Sequence, residues 1–270
     1  MLLKGKTTVI YGVGDSLGGA VAKAFAAAGA RVFLTARRRE KAEKVAREIA
    51  QAGGQAEVDA VDALVAREVD EHAARVVASA GTLDISFNLI NIKDRQNTPL
   101  VEMEAADFVR PVETAMLTQF LTCTAAGRIM AKQRSGVILS LTATPGGIGY
   151  SRVGGFGPAC CAIEAFSTNL AAELGPRGVR VVNLRSAGSP DSRPFREAVD
   201  RGGEKAKQFL EKIEADTMLK KLPMMSDIAN AAVFLASDLA GKITGVTLDV
   251  TAGTTSALNY KEPSIAFIEK

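Results

Sequence analysis

Three glycines near the amino terminus, Gly12, Gly14 and Gly18, follow a short run of β-branched and aromatic residues at positions 7–11. This order predicts a buried strand that ends in a tight turn. The alanine-rich segment 17–28 comes next and has high helix propensity. Glycines in such a turn let the backbone approach a pyrophosphate, whose charge is favoured at a helix N-terminus. The segment therefore predicts a nucleotide site.

The rest of the chain supplies the elements that would hold this turn, because strand-like and helix-like segments alternate almost to its end. Strands separated by helices predict an α/β fold with a parallel, doubly wound sheet, whose ligands bind at the carboxyl ends of the strands. We predict strands at 7–11, 31–35, 56–61, 83–89, 136–141, 179–184 and 247–250. We predict helices at 17–28, 39–52, 64–80, 105–132, 159–174 and 226–236, with a glycine-rich loop at 145–157.

Composition limits the classes of protein that the chain can represent. With 270 residues, of which 47% are hydrophobic, it is long enough for one large core, predicted at 1–258 with a detached tail at 259–270. A net charge of +3 is too small to indicate nucleic-acid binding. No apolar run is long enough to span a bilayer and no signal peptide is evident, so the cytoplasm is the default location.

Cysteine and histidine are too few for a metal centre or a disulfide framework. Cys123, Cys160 and Cys161 are the three cysteines, and His72 is the single histidine. Since His72 falls on a charged predicted helix, we expect it to be a solvated surface residue.

The second half of the chain carries phrases that resemble the short-chain dehydrogenase/reductase family. They are residues 178–181 followed by Asn183, the step Ala187-Gly188, and the closing segments 226–237 and 243–245. The resemblance covers nearly the whole chain. It implies a Rossmann-type sheet with helices on both faces, a nicotinamide cofactor, a small-molecule substrate, and a homotetramer or homodimer. It also implies that the segment 189–223 is a small helical lid over the substrate.

The resemblance assigns cofactor contacts to the glycine turn. In the family motif Thr-Gly-x-x-x-Gly-x-Gly, this chain has Tyr11 to Gly18, with Ser16 at the middle glycine and an extra glycine at Gly14. We therefore expect Gly12, Gly14, Ser16, Leu17 and Gly18 to bind the cofactor. The charge of Asp15 would repel a pyrophosphate.

The residues after the second strand bear on the choice of cofactor. NAD-dependent members have an acid there for the ribose hydroxyls, whereas this chain has Ala36 followed by Arg37 and Arg38. Arginine fork donors without an acid favour the 2′-phosphate of NADP, which is the predicted cofactor. The alternative is that the arginines only solvate the start of a helix.

Four further positions match cofactor contacts of the family. Asp62 corresponds to the acid that contacts adenine, and Asn88 begins the counterpart of the Asn-Asn-Ala-Gly element. Gly188 ends the counterpart of its Pro-Gly step, and Ser192 matches a threonine that touches the nicotinamide amide.

The catalytic residues that the family resemblance implies are absent from the matching positions of this chain. Members of the family use a serine, a tyrosine, a lysine four residues after the tyrosine, and an asparagine. The matching positions here are Ala143, Phe156, Cys160 and Ala115. Phenylalanine has no proton to give and alanine cannot hold an oxyanion. Since acid–base assistance is worth about 10²- to 10⁴-fold, the usual ketone reduction should be severely weakened.

Other side chains near the expected pocket could take over, and we consider Tyr150, Cys160 and Thr142 as substitute catalytic groups. Cys160, on the first turn of a helix, could have a depressed pKa and act as nucleophile or acid, or it could be a small buried packing residue. Tyr150 could swing toward the substrate from its glycine-rich loop or lie at the surface.

Two functions remain open at this point. One is an atypical NADP(H)-dependent oxidoreductase of a small apolar carbonyl, enone or imine, with a non-standard proton donor. The other is a catalytically silent family member that binds a cofactor or ligand or has a regulatory role. A non-redox lyase or isomerase lies between them.

Overall fold

A parallel sheet of seven strands forms the centre of the protein in the computed structural model, which describes residues 1–257. Its spatial order is β3-β2-β1-β4-β5-β6-β7. The chain therefore adds β2 and β3 on one side of β1 and then continues from β4 on the other side, so that the strand order reverses between β1 and β4. This confirms the predicted doubly wound α/β fold. The strands are β1 (Thr7–Tyr11), β2 (Arg31–Ala36), β3 (Gln55–Ala60), β4 (Ile85–Asn88), β5 (Gly136–Ala143), β6 (Val179–Ser186) and β7 (Thr247–Val250).

Helices cover both faces of the sheet. They are α1 (Leu17–Ala27), α2 (Arg39–Gln51), α3 (Ala66–Ala80), α4 (Ala105–Gln133), α5 (Phe156–Leu174), α6 (Arg193–Ala215) and α7 (Met225–Ala236). One apolar cluster joins α1, α2 and α7 to one face, and a second joins α3, α4 and α5 to the other. Each strand of the centre is therefore apolar on both sides, as parallel sheets require. Within residues 1–257, no helix is long and apolar enough to cross a membrane.

Three boundaries around the site differ from the predicted ones. β5 and β6 continue to Ala143 and Ser186, because these last residues still pair with each other in register. α5 begins at Phe156, three residues earlier than predicted, so the loop before it is shorter. A tertiary contact sets this start, because a Cβ at Gly155, the residue just before α5, would collide with the carbonyl oxygen of Phe108 on α4.

The segment 189–223, predicted to be a small helical lid, contains one long helix. α6 runs from Arg193 to Ala215 and is bent at Gly203, whose backbone has φ 52°. Pro194 stands in its first turn, where a missing amide hydrogen costs nothing. The predicted tail, 259–270, and the end of the predicted domain at 258 lie outside the described residues.

The expectation that His72 is a solvated surface residue is wrong. Its side chain is fully buried on the inner side of α3, and its ring meets that of Tyr11 edge to face, 6.1 Å between centroids. Nε2 lies 3.5 Å from the Asp59 carboxylate, but neither ring nitrogen has a hydrogen-bond partner in the described part of the chain. Burial lowers the pKa of His72, the charge of Asp59 opposes this, and that of Arg75 adds to it.

A charge cluster of the buried Arg185, the half-buried Glu164 and the exposed Asp249 ties α5, β6 and β7 together under the loop that follows β5. Arg185 donates to both oxygens of Glu164, with Nε to Oε1 at 3.0 Å, and its Nη1 reaches Asp249 at 3.0 Å. Gly146 and Gly147 lie directly over the pair, since a Cβ at either would come within 2.6 Å of it. The cluster therefore fixes both the strand ends and the loop above them.

We predict that replacing His72 by leucine weakens the acid sensitivity of folding. The folded-state pKa of His72 is lowered, so unfolding takes up a proton and stability falls as the pH drops below about 6.5, the value of a free histidine. Urea unfolding should be compared between about pH 7.5 and about pH 5.5, on either side of that value. His72→Leu should lose less stability than the wild type over this interval, and parallel curves would contradict the prediction.

We predict that Glu164→Gln destabilises the fold by about 3 kcal/mol, because it leaves the buried Arg185 guanidinium without its main counter-charge. The measurement is the free energy of unfolding in urea.

The matched control is Glu43→Gln. Glu43 pairs with Arg39 one helical turn away on the exposed face of α2, at 3.1 Å. Such surface pairs are worth about 0.5 kcal/mol or less. Equal losses for the two variants would show that the charge cluster carries no special stability.

Candidate active site

A cavity of about 560 Å³ opens at the carboxyl ends of the central strands, where the strand order reverses between β1 and β4. This is the position at which open α/β sheets bind ligands. The glycine turn, the loops after β4, β5 and β6, and the lid helix α6 all contribute to its walls. Its apolar lining includes Ile92, Leu141, Val153, Phe156, Ile163, Phe195, Phe209, Ile213 and Met225.

The space around a Cβ differs among the three glycine positions of the turn. At Gly12, with φ 84°, a Cβ would lie 2.6 Å from the Leu89 carbonyl oxygen, and at Gly18 it would lie 2.8 Å from that of Gly12. These two glycines allow close backbone approach. Gly14 has no heavy atom within 4 Å of such a Cβ and lines the cavity. It leaves space where a ligand can approach the backbone.

Free amide donors surround that space. Among residues 1–257, the amide groups of Ser16, Leu17 and Gly18 donate to no protein acceptor, and all three residues line the cavity. They stand at the N-terminus of α1, where a helix favours negative charge. A pyrophosphate fits this donor set, as the sequence predicts for Gly12, Gly14, Ser16, Leu17 and Gly18.

Asp15 is neutralised by two cations. Its carboxylate lies 3.0 Å from Arg193 Nη1 on the lid and 3.3 Å from Lys41 Nζ on α2. Burial by itself would raise the pKa of Asp15, but hydrogen bonds from Lys41 and from its own amide, with the charges of Lys41 and Arg193, outweigh burial and lower it. The repulsion of a phosphate expected from the sequence is thus reduced by these partners.

Ser16 joins the turn to the lid. Its Oγ accepts a hydrogen bond from the Arg193 amide at 3.1 Å and lies 3.7 Å from the sulfur of Met225. The serine at the family's middle-glycine position therefore anchors the first turn of α6 beside the cofactor turn.

The other predicted cofactor residues divide into two groups. Asn88, Gly188 and Ser192 line the cavity, and Asn88 is fixed by donating to Thr122 Oγ1 at 3.0 Å. Arg37, Arg38 and Asp62 do not line it. Both arginines are exposed at the start of α2, and the Asp62 carboxylate accepts a bond from the Leu64 amide at 3.0 Å.

The four positions that match the family's catalytic residues come together in the structure. Ala115, Ala143, Phe156 and Cys160 all line the cavity. Of the two roles considered for Cys160, the structure favours the buried one: the residue is 1% exposed, and burial raises the pKa of its thiol to about 12, with a further contribution from the Glu164 charge. The geometry thus favours the packing role of Cys160 over a nucleophilic one.

Thr142 and Tyr150, the other two substitute candidates, also line the cavity but differ in availability. Thr142 donates its only hydroxyl proton to Glu164 at 2.8 Å and accepts a bond from Asn183 at 2.7 Å. It has no proton left for a substrate. Tyr150 is 40% exposed at the rim, and burial and the charge of Asp216 raise its pKa, which keeps the phenol protonated.

Sequence reasoning missed Asp94, a carboxylate in the loop after β4 that lines the same cavity. The available signal was its position six residues beyond Asn88, just past the end of a strand whose carboxyl end faces the site. In residues 1–257, no three side chains of the metal-ligating types are grouped closely enough to hold a metal ion.

Known proteins resemble the chain over almost its full length. The family model described as enoyl-(acyl carrier protein) reductase matches residues 12–255. The 7alpha-hydroxysteroid dehydrogenase of Escherichia coli K12 is 28% identical over 257 residues, covering 95% of this chain and 97% of that protein. The 3-oxoacyl-(acyl-carrier-protein) reductase FabG of Escherichia coli K12 is 30% identical over 255 residues, covering 94% and 98%.

Solved structures show the shared fold. NAD⁺-bound xylitol dehydrogenase superposes with a TM-score of 0.87 at 22% identity, over 94% of this chain and 100% of that one. ElxO with NADP bound gives 0.85 at 22% identity, over 93% and 99%. With a family match over residues 12–255 and a full-length relative at 30% identity, the chain belongs to the short-chain dehydrogenase/reductase family.

Proposed function

We propose that the protein binds NADP(H) and reduces a small apolar carbonyl, enone or imine without the family's Ser-Tyr-Lys set. The observation that carries this is the open turn at Gly14, with free amides from Ser16 to Gly18 at the mouth of a largely apolar cavity. A dinucleotide phosphate matches the amides, and an apolar substrate matches the walls.

The choice of NADP over NAD rests on the residues after β2. Ala36 offers no carboxylate for ribose hydroxyls, and Arg37 and Arg38 are exposed beside the turn with no ion-pair partner in the described residues. Guanidinium groups suit a 2′-phosphate. The relatives do not decide the question, because ElxO was solved with NADP and xylitol dehydrogenase with NAD⁺.

In the proposed mechanism the bound cofactor supplies a hydride, and the residues of this chain position the partners. The amides from Ser16 to Gly18 would hold the phosphates, and Asn88, Gly188 and Ser192 would border the nicotinamide end. Phe156 and Ile163 exclude water from the reacting atoms. Where the product needs a proton, Tyr150 is the one of the three substitute candidates that can still donate, or else water or the substrate itself supplies it.

A second candidate, a catalytically silent cofactor- or ligand-binding protein, is favoured by a specific observation. The four matched positions lie together on the cavity wall, and none carries a group that ionises near neutral pH. Such a protein would keep the turn and the cavity without turnover. A non-redox lyase or isomerase would use the same cavity without hydride transfer.

We further propose a homodimer or homotetramer, as the family resemblance implies. Exposed apolar side chains on α4, Leu117 and Phe120, and near β7, Leu239 and Val246, are consistent with contacts between copies.

We predict that NADPH raises the melting temperature more than NADH does. A ligand at about 100 times its dissociation constant adds about 2.7 kcal/mol to stability. Replacing Arg37 and Arg38 together by alanine should remove the preference for NADPH while NADH binding stays unchanged. The measurement is a thermal-shift titration with each dinucleotide.

Two controls sharpen this result. Arg47→Ala removes an exposed arginine further along α2 and should leave the preference intact. Gly14→Val fills the open turn and should abolish binding of both dinucleotides, whereas Gly149→Val, at another glycine with open space around it, should not. No shift with either dinucleotide would refute the proposed cofactor site.

We also predict that restoring Ala143→Ser, Phe156→Tyr and Cys160→Lys together raises NADPH-dependent reduction of an apolar ketone by about 10²- to 10⁴-fold, the usual worth of acid–base assistance. Steady-state NADPH consumption is the readout, with bound NADPH verified in each variant. Wild-type turnover of an enone or imine would exclude the silent candidate, and no turnover in any variant would favour it.

A further inference from the structure

Three charged side chains line the cavity: Asp15, Asp94 and Arg193. Asp15 and Arg193 bind each other at 3.0 Å, and each has one further partner, Lys41 and Glu197 respectively. The charges of Asp15 and Arg193 cancel within the cavity lining. Asp94 forms no ion pair with any residue in 1–257, so the cavity carries one uncompensated negative charge.

The surrounding contacts hold Asp94 in place without neutralising it. Its Oδ2 accepts a bond from the Gln96 side chain at 2.6 Å, and the neighbouring Arg95 pairs with Asp107, which also pairs with Arg110. The loop is anchored by the buried Ile92 and by the Asn97 amide, which donates to the Arg152 carbonyl at 2.8 Å. A half-buried carboxylate held this way attracts a cation more strongly than a fully solvated one.

Asp94 also lies within electrostatic reach of the position that matches the family's lysine. Burial is the main cause of the raised pKa of Cys160, and the charge of Asp94 adds to it. The cavity therefore has a thiol where the family has a cation, and a nearby carboxylate that forms no ion pair within residues 1–257.

The missing catalytic groups are ones that a carbonyl substrate needs. Hydride addition to a carbonyl leaves an alkoxide, which requires a proton donor and hydrogen bonds to its oxygen, and Ala143 and Phe156 can supply neither. An iminium substrate already carries the positive charge that makes its carbon electrophilic, and it leaves no oxyanion.

We propose, on the basis of the NADP(H)-dependent reduction proposed above, that the substrate class is a cationic iminium compound with an apolar body, and that Asp94 is its counter-ion. The iminium carbon accepts a hydride, with its electron pair, from the reduced nicotinamide and forms a C–H bond. The π pair of the C=N bond moves to nitrogen as a lone pair. The products are a neutral amine and the oxidised cofactor, and no proton is transferred in this step.

The apolar lining fits the rest of such a molecule. Phe195, Phe209 and Ile213 of the lid and Val153 and Phe156 opposite them provide walls for a ring system. With one carboxylate and several aromatic residues, the cavity selects a cation whose charge is attached to a hydrophobic skeleton, and it disfavours an acid of the same shape.

The experiment uses the N-methyl-dihydroisoquinolinium ion as probe and α-tetralone as a neutral ketone of similar shape. Binding of each to the full chain is measured by calorimetry, with and without NADP⁺, and reduction is followed by NADPH consumption. The variants are Asp94→Asn, Asp94→Glu, and Asp238→Asn as a control with the same change of net charge at an exposed position that pairs with Lys6.

We expect the wild type to bind and reduce the iminium probe in preference to the ketone. Asp94→Asn should weaken binding of the iminium probe by about tenfold or more, as loss of a nearby counter-charge requires, and leave ketone binding unchanged. Asp94→Glu should restore part of the affinity, and Asp238→Asn should behave as the wild type.

Equal iminium affinity in the wild type and Asp94→Asn, or a preference for the ketone, would overturn the inference even if NADPH binds and turnover occurs. Failure of NADPH to bind would instead refute the proposed function. If NADPH does not bind but iminium binding still depends on Asp94, the cation-binding site would be supported and the proposed reduction would be refuted.

Discussion

The close approach of the glycine turn to the chain after β4 is the contact on which the rest of the structure depends. At Gly12 the two backbones are so near that a single Cβ would lie 2.6 Å from the Leu89 carbonyl oxygen. This approach lets β1 and β4 pair as neighbours although two strands intervene in sequence. The reversal of strand order at that point opens the cavity, and the free amides of α1 face into it.

Some polar and charged groups around the cavity are bonded to other groups of the protein, and others are available to a ligand. Glu164, Arg185 and Asp249 form a closed cluster that also engages the Thr142 hydroxyl, so Thr142 is a structural residue. Asp15 forms ion pairs with Lys41 and Arg193. What remains for a ligand includes the backbone amides of the glycine turn, the Tyr150 hydroxyl and the Asp94 carboxylate. The distribution suits a phosphate at one end and a cation at the other.

The sequence predicted the order and type of the elements because strand and helix periodicities are local properties of the chain. It also predicted the glycine turn between β1 and α1 and helical structure within 189–223. It could not predict the early start of α5, because Gly155 owes its role to the approach of Phe108 on a different helix. Nor could it predict the burial of His72, since a charged helix leaves its inner face undetermined until it packs against β1 and β3.

By itself, then, the sequence determined the fold class and the glycine turn between β1 and α1. Only the tertiary structure decided which polar groups are available for chemistry, because availability depends on partners that are distant in sequence. Burial raised the pKa of Cys160, a bond to Glu164 consumed the proton of Thr142, and two cations neutralised Asp15. Asp94 and Cys160 line the same cavity although 66 positions separate them in sequence, a proximity that no local pattern encodes.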